Sequence, residues 1–313
     1  MTELRFGIQG SGQLVGGLPD PGTFADVARL AETAGYDSIW AGDHVSFENP
    51  ILDVAVALAT FAAVTSRITI GAGIVLLPVR PPALVAKAFS SLDYLSRGRV
   101  VLGVGVGGEG AKDFEAVGIP VDERRARADE AMLVLRQLFA GSPATFEGRF
   151  TRFEGVSIEP LPVQPGGPPM WVGGRSPAAL RTAGRLGDGW LPIWIATEQY
   201  ASSWGEIRRH AVDAGRDADA IVPAAVVPAL VDDDSERARK LAREHLDERY
   251  ATGFSPRAIE RYCLVGTPEE CAARARSYAD AGVRHLVFNP AVATDRLLEQ
   301  VERLADVVTV VAA

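Results

Sequence analysis

Several short runs in this chain have the residue types that chemistry needs. Asp43-His44 directly follows the strand-like run Ser38–Ala41. A histidine at the C-terminal end of a strand can donate, accept or transfer a proton near neutral pH. His285 leads into the last strand-like run and reads as structural; His210 and His245 sit on helix-like stretches and read as exposed. Gly173-Gly174-Arg175-Ser176 opens a helix-like stretch beginning at Pro177. Flexible glycines, free backbone N–H groups, the helix dipole and an arginine together suit an anion, and phosphate is the natural guest. The same run also reads as an ordinary capped helix start. Glu109 stands in a glycine-rich loop, where it is either a general acid or a solvated carboxylate. Small residues at Gly71, Ala72 and Gly73 precede Ile74 in a strand-like run. They predict a bulge or a backbone that a ligand approaches closely, the alternative being packing against a bulky neighbour. Trp190 and Trp194 are either walls for a planar ligand or core residues.

These groups need a frame. Short apolar, β-branched runs alternate with longer amphipathic ones. Strands are expected at 4–9, 38–41, 68–75, 100–104, 170–172, 189–193, 221–231 and 285–288. Helices are expected near 23–34, 52–65, 82–96, 122–140, 177–186, 197–214, 234–250, 268–281 and 294–309. Such alternation predicts an α/β fold with a parallel sheet, and eight strands fit a (β/α)8 barrel better than a doubly wound sheet. In a barrel, the runs above fall where strands end and βα loops begin. Ser176-Pro177 and Thr267-Pro268-Glu269-Glu270 read as helix starts, and Gly35 and Gly282 as helix ends. Two stretches break the repeat. Residues 142–169 carry an alternating run with glycine turns at Gly148 and Gly155 and read as a β-hairpin followed by a Pro-rich connector; 251–264 is a shorter excursion. Residues 1–313 are expected to form one domain.

Gly103-Val-Gly105-Val-Gly107-Gly108 matches the dinucleotide fingerprint in letters only. It follows three earlier βα units, and Gly118-Ile-Pro120 interrupts the helix that should open inside it. The glycines instead suggest a strand end that a flat ligand approaches.

Bulk properties narrow the classes. The 313 residues carry a formal net charge of −8 and no basic run, which argues against nucleic acid as a partner. No apolar run approaches membrane-spanning length, so no membrane partner is expected. Met1–Gly10 shows no basic-then-apolar leader pattern, and a cytoplasmic location is expected. Cys263 and Cys271 are too few and wrongly spaced for a disulfide framework or zinc cluster; they read as buried thiols, and no metal site is expected.

Across nearly its whole length the chain resembles the luciferase-like monooxygenase superfamily, and within it the oxidoreductases that use the deazaflavin coenzyme F420. The likeness rests on Gly35-Tyr-Asp-Ser-Ile-Trp40-Ala-Gly-Asp43-His44, Arg67-Ile-Thr-Ile-Gly71, Leu102-Gly-Val-Gly-Val-Gly107, Pro169-Met-Trp-Val-Gly173-Gly174 and Leu186-Gly-Asp-Gly-Trp190-Leu-Pro192. The resemblance implies a (β/α)8 barrel, a homodimer, and a flat ring at the strand ends. It implies a non-prolyl cis peptide behind that ring at Gly73-Ile74. Asp43 and His44 would lie beside the ring, and Val106 and Gly107 would contact the cofactor. Gly173, Gly174, Arg175 and Ser176 would hold its phosphate. The implied activity is hydride transfer between F420 and a small organic substrate. The alternatives are an FMN-dependent monooxygenase and an F420-binding protein without turnover. Few lysines among many arginines, the mark of a GC-rich genome, favour F420 over FMN. The sugar-phosphate dehydrogenases of this branch have a glutamate directly after the Gly-x-Gly of the fourth strand and a tryptophan four residues after the histidine. Here those positions are Gly108 and Glu48, and Glu109 comes one step late. With only three lysines as well, a sugar phosphate is not the expected substrate.

Overall fold

A computed structural model describes residues 4–107, 110–141 and 143–312. In chain order its strands are β1 (Arg5–Ser11), β2 (Ser38–Ala41), β3 (Thr69–Leu76), β4 (Val100–Gly105), β5 (Ala144–Glu147), β6 (Arg152–Val156), β7 (Met170–Val172), β8 (Gly189–Trp190), β9 (Val222–Val231), β10 (Leu264–Gly266) and β11 (His285–Pro290). The helices are α1 (Gly22–Thr33), α2 (Val54–Val64), α3 (Pro82–Ser96), α4 (Ala111–Val117), α5 (Arg124–Phe139), α6 (Pro177–Leu186), α7 (Thr197–Asp213), α8 (Ser235–Tyr250), α9 (Pro256–Tyr262), α10 (Pro268–Asp280) and α11 (Leu297–Ala312). Eight strands pair in parallel in the order β9-β11-β1-β2-β3-β4-β7-β8, and β8 returns to β9. The ring is closed, and the fold is a (β/α)8 barrel. The end signals act as the residues require. Thr267 and Glu270 form a capping box, Ser176 caps α6, and Gly35 and Gly282 take positive φ after α1 and α10.

Two cores result from strand alternation. Outward residues such as Ile8, Ile39, Ile70, Leu102 and Phe288 pack against the helices. Inward, Trp40, Val101, Trp171, Leu191, Val226 and Val287 fill the barrel. Trp40 fits because its neighbours are glycines: a Cβ on Gly71 would stand 2.2 Å from its ring. At Gly71, then, the bulky neighbour is the explanation and not a ligand. His285 also faces inward. Its Nε2 lies 2.7 Å from Ser38 Oγ, which accepts from Trp40 Nε1 at 2.7 Å. The structural reading of His285 holds.

The hairpin expected within 142–169 is present as antiparallel β5 and β6. Its turn is closed by Gly148 N–H donating to the Thr151 carbonyl at 2.9 Å. Gly155 is not a turn residue; it lies inside β6 at φ +63°, near the register shift in the pairing. The buried Asp93 carboxylate pins the following connector by accepting from Val163 N and Gln164 N.

The second excursion needs correction. It spans 232–266 rather than 251–264 and contains α8, α9 and β10, the last extending the sheet beside Ala229–Val231. α8 has the apolar period of a barrel helix, but its face (Ala238, Ala242, Leu246) packs with Ile259 and Cys263 into a small core of its own. α10 takes the place in the outer ring beside α11. Cys263 and Cys271 are buried free thiols, which burial pushes up to about 12. Among the described residues no helix is long and apolar enough to cross a membrane.

Candidate active site

The site begins with an irregularity in β3. Its pairing with β4 shifts register between Ala72 and Val75, and the Gly73-Ile74 peptide is cis, at the position the resemblance implied. The bulge turns Ile74 into the barrel. A Cβ on Gly105 would meet Ile74 Cδ1 at 2.0 Å, one on Gly173 would meet it at 2.8 Å, and one on Gly103 would meet the Ala72 carbonyl at 2.0 Å. Gly103 and Gly105 are therefore small to admit the bulge of β3, not to admit a ligand directly.

Asp43 fixes the end of that bulge. Its carboxylate, buried to 3% exposure, accepts from Leu76 N at 3.1 Å and from Arg80 Nε at 3.0 Å. Arg80 also reaches Asp53, the N-cap of α2, at 2.9 Å. Asp43 lines the cavity, but its polar capacity is spent on the protein.

His44, the next residue, is held differently. Its Nδ1–H donates to Asp113 Oδ2 at 2.8 Å, because a carboxylate can only accept. Asp113 is fully buried, and its Oδ1 accepts from Val45 N at 2.6 Å and Ser46 N at 2.9 Å. Among the described residues Nε2 has no hydrogen-bond partner, and the ring lines the cavity and packs on Phe47. That tautomer makes Nε2 a proton acceptor when the ring is neutral.

The cavity lies at the C-terminal ends of the strands and has a volume of about 580 Å³. Gly73, Ile74, Val106 and Gly107 line it, as do Gly173, Gly174, Arg175 and Ser176. The turn before α6 carries one surprise. Gly173 N–H is spent on the Val104 carbonyl at 2.8 Å, so the available amides start at Gly174. Gly174 has φ +92°, and its carbonyl accepts from Trp190 Nε1 at 2.8 Å. Arg175 Nη1 donates to the Trp194 carbonyl, and Ser176 Oγ caps Ala179 N. Arg124 and Arg125, at the start of α5, add two cations to the cavity wall. Burial lowers the Arg125 pKa, though a guanidinium stays charged at neutral pH.

Not every expected residue joins this group. Glu109 lies outside the described residues. Trp190 is fully buried and stacked on Tyr200, and Trp194 packs on Tyr250 and Phe254. Trp190 thus shapes the turn from behind instead of walling a ligand. His245 is buried at 7% exposure, not exposed; neither ring nitrogen has a hydrogen-bond partner among the described residues, and burial followed by the charge of Arg249 pushes it down to about 3. Sequence reasoning missed Asp113, Arg80, Arg124 and Arg125. The Glu123-Arg-Arg-Ala-Arg run was visible; which of its arginines faces the mouth depends on the helix phase. Among the described residues no group of His, Cys, Asp and Glu is arranged to hold a metal.

Fold and site define a (β/α)8-barrel enzyme with a cavity at its strand ends, edged by a histidine–carboxylate pair and the glycine turn before α6. Residues 5–285 match the model of the luciferase-like monooxygenase family, and the chain belongs to that family. It is similar to the F420-dependent glucose-6-phosphate dehydrogenase of Nakamurella multipartita, 30% identical over 312 residues, which cover 91% of this chain and 90% of that one. Among solved structures, the F420-dependent secondary alcohol dehydrogenase in complex with an F420–acetone adduct shares the fold, with a TM-score of 0.87, 20% identity and 99% of both chains covered. The monooxygenase RslO1 from Streptomyces bottropensis superimposes with a TM-score of 0.86 at 26% identity, covering 99% of this chain and all of that one.

Proposed function

We propose that this chain is an F420-dependent oxidoreductase that transfers a hydride between the deazaflavin and a small organic substrate. One observation carries the reading: the β3 bulge, the open amides of Gly174–Ser176 and His44 Nε2 all border a single cavity. The residues present fit such a cofactor. The Gly73-Ile74 bulge gives a surface for a flat ring, Val106 and Gly107 border it, and Asp43 holds the bulge in shape. Gly174, Arg175 and Ser176 offer amide donors to a phosphate, backed by Arg124 and Arg125, while Gly173 keeps the turn against β4. The cofactor, when bound, supplies or accepts the hydride. The chain's own part is to orient the reactants, exclude water and move one proton. His44 Nε2 gives a proton to the substrate oxygen in reduction or takes it in oxidation, and Asp113 steadies the charged imidazole. We extend the proposal to a homodimer and to a substrate other than a sugar phosphate, since the glutamate and tryptophan of that branch's pattern are replaced by Gly108 and Glu48 and the chain has only three lysines. Glu109, which lies outside the described residues, is proposed as a second acid.

The likeness to RslO1 favours a second reading, an FMN-dependent monooxygenase on the same frame. Titrating the protein with F420 and with FMN, by fluorescence quenching, separates the two. Saturable F420 binding at least about tenfold tighter than FMN is expected; the reverse order overturns the F420 assignment. His44→Ala is expected to lower kcat by about 10²–10⁴-fold while the F420 Kd stays within a few-fold. Unchanged turnover removes His44 from the chemistry.

A further inference from the structure

The mouth of the barrel has a second cationic corner that the cofactor reading does not use. Arg249, near the end of α8, is 5% exposed and lines the cavity. Among the described residues no carboxylate pairs with it. Its Nη1 donates to Asn289 Oδ1 at 3.1 Å, and among the described residues that is its only side-chain hydrogen bond, with Nε buried and unpartnered there. A buried cation is normally paired, because removal from water is costly. Asn289, at the end of β11, is itself 4% exposed. Its oxygen is occupied by Arg249, so its amide N–H groups are left as donors. A Cβ on Gly12 would stand 3.1 Å from Arg249 Nη2, and Gln9 Nε2 lies beside the same glycine. The corner therefore presents donors around a fixed positive charge.

Strand order fixes where this corner lies. Around the ring β9-β11-β1-β2-β3-β4-β7-β8, the turn after β7 faces β1 across the barrel, and Arg249 stands over the ends of β1 and β11. The cavity is thus bounded by an anion-binding turn on one side and an unneutralised guanidinium on the other. Between them the wall includes a run of apolar side chains, Ile51, Leu191, Ile193 and Val226, beside Asp43 and His44.

We propose that Arg249, held by Asn289, is the specificity-determining residue for a substrate carrying a carboxylate on an apolar body. Resting on the reading that the turn after β7 takes the cofactor, this assigns the opposite corner to the substrate. A planar carboxylate matches a guanidinium edge, and the adjacent amide can serve its second oxygen.

The test uses the full chain with and without saturating F420. Acetate, butyrate and benzoate are each titrated against their neutral amides by calorimetry, with wild type, Arg249→Met and Arg249→Lys. At least one carboxylate is expected to bind about tenfold or more tighter than its amide. Arg249→Met abolishes the preference, Arg249→Lys keeps part of it, and the F420 Kd changes less than about threefold in both. Since no acid among the described residues pairs with Arg249, Arg249→Met is also expected to melt no lower than wild type. The inference is overturned if no carboxylate binds saturably, if the amides bind equally well, or if Arg249→Met keeps the preference. It is also overturned if Arg249→Met weakens F420 instead, which gives the guanidinium to the cofactor. Failure of F420 to bind, with Arg249-dependent carboxylate binding intact, sinks the functional reading and leaves this one standing.

Discussion

His44 is useful only if one of its nitrogens is committed elsewhere, and Asp113 makes that commitment. The carboxylate does two jobs: Oδ2 sets the imidazole tautomer, while Oδ1 ties down Val45 and Ser46. Substitutions can separate them. Asp113→Asn keeps an acceptor for the two amides but turns an N–H toward Nδ1, which forces the proton onto Nε2. Turnover is expected to fall by about 10–10⁴-fold while Tm stays within a few degrees. Asp113→Ala also strands two amides, and at about 1–3 kcal/mol each it lowers Tm as well. Full activity in Asp113→Asn contradicts a positioning role. In the sequence His44 was legible from its place after a strand. Asp113 was not: it lies 69 residues away on α4, a seven-residue helix without a clear apolar period. Arg249 escaped for a similar reason, since nothing in α8 shows that its end meets Asn289.

At the scale of elements, the bulge of β3 and the glycines of β4 form one device. The Gly-x-Gly pattern was plain in the sequence, but its partner was not, because Ile74 reaches across from the neighbouring strand. The glycines were read as room for a ligand, and the structure fills that room with a side chain. Gly105→Ala should therefore cost about 1–3 kcal/mol by overpacking against Ile74 Cδ1. Ile74→Val removes that atom, and the double variant should recover much of the loss, a coupling that denaturant melts read directly. Independent, additive effects contradict the packing account. Both excursions were anticipated, and only the hairpin had nearly its true bounds. Alternation is a local signal, whereas the period of α8 is that of a barrel helix and predicts one. Only contact with Ile259 and Cys263 reveals its separate core.

On the scale of the whole molecule, the count of βα units favours a barrel, and two histidines are buried in different parts of it: His285 inside the ring and His245 on α8 in the excursion. Burial, followed by the charge of Arg5, pushes His285 down to about 3, and His245 is lowered to about the same value. Both lie below the ordinary 6.5. Between pH 6.5 and 3 the unfolded chain thus binds more protons than the folded one, and stability falls as pH falls through that window. The loss approaches roughly 1.4 kcal/mol per pH unit for each histidine. Tm should drop between pH 7 and 5, and His245→Phe, which removes one titrating ring with two unpartnered nitrogens, should flatten the slope. A wild-type Tm independent of pH across that range contradicts the neutral, buried state of both rings.

The central claim is that one cavity holds a flat cofactor by its phosphate at residues 174–176 and presents it to His44. A crystal structure of the complex with F420 tests this most directly. In that complex, phosphate oxygens should lie within hydrogen-bond distance of the Gly174–Ser176 amides, the ring against Gly73-Ile74, and His44 Nε2 facing the open side of that ring. A phosphate bound elsewhere, or a ring out of reach of His44, would contradict it.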